Sequence, residues 1–191
     1  MCGAIRLSRS DTSVPMFTKV NIDRASQIPG WMTYKELTWL AKQARKHQKI
    51  VEIGSYMGRS TRAMGDHTTG IVAAIDDFKG PRDMNLPEFM RDGVAEAFVW
   101  ALGDLLTSGR VSMMVADHAT ADVNFSPDMV FIDGSHIHED VLRDITTWKK
   151  RLATGGLLCG HDYTNMEDVS RAVNELIDRP KVVKGTSIWY S

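Results

Sequence analysis

Four aspartates stand at the ends of short apolar runs: Asp76, Asp117, Asp133 and Asp162. Two histidines accompany them, His136 just beyond Asp133 and His161 directly before Asp162. Paired carboxylates beside an imidazole form a donor set for a divalent cation. An imidazole near such a pair can also take a proton from a reacting hydroxyl. The same residue types serve equally well as loop residues that bond their own backbone.

Upstream lies a glycine turn, Val51-Glu52-Ile53-Gly54-Ser55-Tyr56-Met57-Gly58-Arg59-Ser60. Glycines there let the backbone turn tightly and approach a ligand closely. The spacing from Gly54 to Gly58 is not the Gly-x-Gly-x-x-Gly dinucleotide fingerprint, and a purely structural strand-to-helix turn would look similar. Asp76 follows about 20 residues later, the distance at which an acid holds the hydroxyls of an adenosine ribose. Its neighbour Asp77 leaves that register open by one position. Asp117 could accept from an adenine amino group. Each acid alone could instead cap a helix or turn, so the weight lies in their order at successive strand ends.

Bringing these residues together requires strands and helices in alternation. The runs 50–53, 71–75, 111–115, 129–132 and 156–159 are apolar throughout, as in parallel strands covered on both faces. Helices are expected at 59–67, 87–106 and 138–152. In the last of these Val141, Ile145, Trp148 and Leu152 recur at helical spacing, and Gly155-Gly156 ends it. Thr33 and Glu36 have the spacing of a capping box, which starts a helix over 34–47. A final helix over 166–178 precedes a strand pair at 182–183 and 187–190. Residues 1–30 are polar and irregular and read as an N-terminal arm or cap, with the main domain over 31–191. The alternation predicts an α/β doubly wound sheet, with ligands bound beyond the carboxyl ends of its strands.

The chain has 191 residues, 43% hydrophobic and 25% charged, with a net charge of −1. That length supports one domain with its own core. Near-neutrality argues against nucleic acid or an anionic membrane as partner. Two cysteines leave no disulfide framework, as in a reducing compartment. No apolar run approaches the ~20 residues that span a bilayer, and the N-terminus has no signal-peptide core. The expected location is cytoplasmic. Met1-Cys2-Gly3 resembles the start of class II glutamine amidotransferases, but nothing after Gly3 continues that pattern.

The stretch from Glu52 to Thr61 resembles motif I of the catechol O-methyltransferase-like enzymes. Phe131-Ile132-Asp133-Gly134-Ser135-His136, Gly155-Gly156-Leu157 and His161-Asp162-Tyr163 are similar to bacterial natural-product and macrolide-sugar O-methyltransferases. The resemblance runs from about Gly30 onward. It implies a class I S-adenosylmethionine-dependent methyltransferase, a Rossmann-like, mostly parallel sheet ending in an antiparallel strand pair. Glu52, Gly54, Ser55, Tyr56, Gly58 and Ser60 would line the methionine end of the cofactor. Asp76 would hold the ribose, and Asp117 with His118 would flank the adenine. Asp133 and Asp162 would hold a divalent cation such as Mg²⁺, with His161 beside them. Asp133 also borders the cofactor and the reacting groups, and His136 matches the general base.

Two departures stand out. His161 occupies a place where metal-dependent relatives often carry Glu or Asp, and imidazole is a poor partner for Mg²⁺. The connection over 77–82 does not align and is expected to border the substrate entrance. The implied acceptor is a hydroxylated small molecule, and an arm of this length could exchange between subunits of a homo-oligomer. Competing readings are a nicotinamide-dependent oxidoreductase, an accessory S-adenosylmethionine-binding protein, and a methyltransferase whose basic patch at Lys79, Arg82 and Arg91 recruits a macromolecule.

Overall fold

The computed structural model describes residues 19–80 and 87–191. Five strands run parallel: β1 (Lys49–Ile53), β2 (Ile71–Asp76), β3 (Val111–Val115), β4 (Met129–Ile132) and β5 (Leu157–Gly160). Two short strands follow, β6 (Lys181–Val182) and β7 (Trp189–Tyr190), and β7 lies antiparallel between β5 and β6. The order β3-β2-β1-β4-β5-β7-β6 is the expected doubly wound sheet with an antiparallel end. Strand order reverses on either side of β1, so a crevice opens where the carboxyl ends of β1 and β4 diverge.

Side-chain alternation in the strands feeds two cores. Ile50, Met129 and Phe131 pack on one face with α2 (Tyr34–Ala44), α3 (Arg59–Gly65) and α4 (Val94–Thr107). Val51, Ile53 and Val130 pack on the other with α5 (His138–Arg151) and α6 (Glu167–Leu176). The helical stripe Val141, Ile145 and Trp148 is buried as the spacing predicts. The strand β3 differs from the expected pattern. It is an edge strand, so one side lacks cover and Val115 is 69% exposed.

Two stretches fold more finely than their sequence suggested. Within the polar N-terminal segment, α1 (Asp23–Gln27) forms, and Ile22, Ala25 and Ile28 are buried in the core. Residues 1–18, including Cys2, lie outside the described residues, as do 81–86 with Arg82. The helix expected over 87–106 is broken. A 3-10 turn at Glu88–Met90 comes first, then Gly93 takes a left-handed φ of 68°, and α4 starts only at Val94. No helix among the described residues is long and apolar enough to cross a membrane.

Candidate active site

A cavity of about 1020 Å³ opens at the strand ends. That is the upper end of the size range for small-molecule sites and leaves room for a cofactor and a second molecule. Its wall takes Gly54, Ser55, Tyr56 and Ser60 from the glycine turn and Asp76 and Asp77 from the end of β2. Asp117 and His118 line it after β3, Asp133 and His136 after β4, and His161 and Asp162 after β5. Glu52 and Gly58 are not on that wall.

The glycine turn is shaped from beneath. Gly54 has φ 82°, and a Cβ there would lie 2.1 Å from the Asp133 carbonyl oxygen, so the tips of β1 and β4 touch backbone to backbone. Gly58 has φ 90°, and a Cβ would meet Leu102 of α4 at 2.5 Å, so this glycine admits α4 rather than a ligand. Glu52 is fully buried under the turn and accepts from the hydroxyls of Ser55 and Thr61. Burial pushes its carboxyl up to about 7, against the opposing hydroxyl bonds of Ser60, Thr61 and Ser55.

Asp76 ends β2 as expected and ties two turns together. Its Oδ2 accepts from Tyr56 N at 2.9 Å and its Oδ1 from Phe78 N at 2.6 Å. A carboxylate oxygen has two lone pairs, so each retains capacity toward the cavity. Asp117 caps its own turn, with Oδ1 accepting from Ala119 N at 3.0 Å. His118 packs beside Gly134, where a Cβ would lie 2.7 Å from the ring.

The residues Asp133, His161 and Asp162 do come together, with one candidate donor atom from each lying within 4.8 Å of the others. His161 Nδ1 lies 3.4 Å from Asp133 Oδ1 and 3.2 Å from Asp162 Oδ2. Its Nε2 lies 2.8 Å from Ser187 Oγ and 3.2 Å from Glu36 Oε1. Burial alone would lower the pKa of this ring, but Asp133, Asp162 and Glu36 outweigh it and raise it to about 12. Asp162 is itself held by His136 Nε2 at 3.0 Å and by the Asn165 amide at 3.1 Å. This arrangement does not fit Mg²⁺, which needs open oxygen ligands. Here a ring nitrogen lies within 3.4 Å of an oxygen of each carboxylate, and Asp162 Oδ2 has both lone pairs committed, to His136 Nε2 and His161 Nδ1.

Sequence reasoning missed three contributors. Glu36 was legible only as the capping box, which forms as expected with Thr33. Its other oxygen crosses to Ser187 and His161, a contact no local spacing encodes. Asp144 sits in the apolar stripe of α5, and that lone acid among Val141, Ile145 and Trp148 was an available signal. Arg59, in the first turn of α3, reaches back to the carbonyls of Ser26, Ile28 and Met32. It thereby straps the segment that carries Trp31, whose ring lies 5.1 Å from Tyr56 at the cavity edge.

The architecture has close counterparts among solved structures. The SAH-bound methyltransferase PaMTH1 from Podospora anserina superposes with a TM-score of 0.63 at 13% identity, covering 87% of this chain and 82% of that one. The O-methyltransferase TomG from Streptomyces achromogenes, solved with SAM, gives 0.61 at 16% identity over 93% and 91%. A SAM-dependent O-methyltransferase from Thermotoga maritima gives 0.61 at 16% identity over 88% and 69%. These likenesses establish the class I methyltransferase fold. A family model described as a methyltransferase domain matches residues 51–163, more than half of the chain, from the glycine turn through the end of β5 and its following turn. The chain belongs to that methyltransferase domain family.

Proposed function

We propose that this chain transfers the methyl group of S-adenosylmethionine to a hydroxyl of a small molecule, a sugar or natural product. The observation that carries the reading is the approach of His136 Nε2 to Asp162 Oδ2, 3.0 Å apart on the cavity wall. Bound there, the cofactor supplies an electrophilic methyl on a sulfonium. The turn from Gly54 to Tyr56, with Ser60, takes the methionine end, Asp76 the ribose, and Asp117 with His118 the adenine.

An alkyl or sugar hydroxyl is almost wholly protonated at pH 7, so the acceptor needs a base. Its proton passes to His136 Nδ1, while Nε2–H donates to Asp162 Oδ2, which stabilises the imidazolium that results. The oxygen–carbon bond forms as the sulfur–carbon bond breaks, and a neutral thioether remains. Holding the reacting atoms in line is the main contribution of the cavity. Its wall is rich in carboxylates, which favours a cationic cofactor and a neutral acceptor over an anionic one.

Calorimetric titration with S-adenosylhomocysteine tests the cofactor. One-to-one binding that is lost in Asp76→Ala is expected. No binding by a folded protein would overturn the reading and point to nicotinamide cofactors. Turnover with a panel of hydroxylated acceptors tests the base. His136→Ala should lower kcat by about 10²-fold or more while leaving S-adenosylhomocysteine affinity in place. Wild-type turnover by that variant would remove His136 from the role.

A further inference from the structure

Three carboxylates from distant parts of the chain converge on one buried ring. Glu36 comes from the first turn of α2, Asp133 from the end of β4 and Asp162 from the end of β5, and each has an oxygen within 3.4 Å of a His161 nitrogen. The side chains of His161 and Glu36 are each only 5% exposed.

A neutral imidazole has one N–H and one bare lone pair. At this position either nitrogen, if bare, would face a carboxylate oxygen, acceptor against acceptor. At Nδ1 the neighbours are Asp133 Oδ1 and Asp162 Oδ2. At Nε2 the Ser187 hydroxyl could donate, but only by withdrawing its proton from Glu36 Oε1, 3.1 Å away. The lone pair would still lie 3.2 Å from that Glu36 oxygen. With both nitrogens protonated every contact becomes favourable. Nδ1–H donates to Asp133 and Asp162, Nε2–H donates to Glu36 and Ser187, and the Ser187 hydroxyl is left to bond Glu36.

We propose that the His161 imidazolium is the resident cation of this carboxylate cluster, standing where a divalent metal ion would otherwise neutralise it. The methyl-transfer reading enters only in placing this cluster beside the reacting groups. The function of the ring follows from its charge. It holds Asp133 and Asp162 in place at the cavity wall without an exchangeable ion, and Glu36 is the positioning residue that fixes its far nitrogen.

The experiment has two readouts, neither of which uses cofactor or acceptor. Manganese chloride, magnesium chloride and zinc chloride are titrated calorimetrically into the full chain at pH 7.5, for wild type and for His161→Asp. The wild type is expected to show no saturable one-to-one binding. His161→Asp removes the cation and adds a carboxylate, and should bind Mn²⁺ at least tenfold more tightly than wild type does. Long-range ¹⁵N–¹H NMR of the wild type at pH 8 should show both His161 ring nitrogens protonated, and this readout stands even if the variant does not fold. One-to-one binding of Mn²⁺ or Zn²⁺ by the wild type that is lost in His161→Gln would make the ring a ligand and overturn the proposal. So would a neutral His161 ring at pH 8. A failure to bind S-adenosylhomocysteine would sink the methyl-transfer reading and leave both of these results standing.

Discussion

His118 and Asp144 meet behind the cavity wall, Nδ1 to Oδ2 at 3.3 Å, although 26 residues separate them. The indole of Trp148 donates to the His118 carbonyl at 3.0 Å, so α5 holds this residue by ring and backbone together. Burial works against charging the ring, but Asp144 outweighs it and raises the pKa of His118. Asp144→Asn should therefore lower the midpoint of His118, read from its ring protons by NMR titration. An unchanged midpoint would mean that another carboxylate sets the charge.

Arg59 gives its guanidinium to three backbone carbonyls rather than to an acid. Hydrogen bonds from a charged donor contribute about 1.5–3 kcal/mol each, and the three are not independent. Arg59→Ala should destabilise the chain by about 2–4 kcal/mol in urea unfolding. Arg59→Lys should recover only part of that, because an ammonium lacks the planar fork.

Two glycines separate contact from conformation. Gly54 and Gly155 both have positive φ, 82° and 78°, but only Gly54 has neighbours where a side chain would go. Gly155→Ala should cost about 1–2 kcal/mol, the conformational penalty alone. Gly54→Ala should cost more than about 4 kcal/mol or prevent folding, because the blocking atom is backbone. Equal costs in thermal denaturation would contradict the close approach of β1 and β4.

Glu52 makes stability depend on pH in a defined direction. Its carboxyl sits at about 7 when folded against an ordinary value of 4.5, so the folded state holds an extra proton between those limits. Stability from this group is thus present below about pH 4.5 and is lost as pH rises toward 7, with a slope up to about 1.4 kcal/mol per pH unit. In Glu52→Gln that component of the slope should vanish from chemical denaturation measured between those values.

His161 acts with the same sign in a later window. Its folded pKa of about 12 exceeds the ordinary 6.5, so its contribution is complete below about 6.5 and declines as pH rises toward 12. Wild-type stability should fall between pH 8 and pH 10, and His161→Gln should flatten that fall. An equally steep fall in the variant would assign it to other groups.

Strand tips were the legible part of this molecule. An apolar run followed by an acid announces a buried parallel strand ending at a crevice, and Asp76, Asp133 and Asp162 all stand on the cavity wall. Glu52 and Gly58 were read with the wall residues because a turn sequence does not say which side chains point down. The break before α4 was hidden because Gly93 can continue a helix or leave it, and the surrounding apolar spacing is helical on both sides. What sequence could not show was convergence. Glu36 and Ser187 are 151 residues apart, and only the closed sheet and its antiparallel end bring them to one ring.

The double duty of Glu36 matters for anyone redesigning this chain. A scheme that scores helix starts by local preference treats Glu and Gln at this position as nearly interchangeable, since both complete a capping box. Here one oxygen serves the helix start and the other faces His161 across the molecule. An exchange to Gln would keep the first helix turn while deleting one of three negative charges around a buried positive ring. A consensus-based stabilisation effort would register that change as silent, and its cost would surface elsewhere, as a misplaced ring at the mouth of another strand.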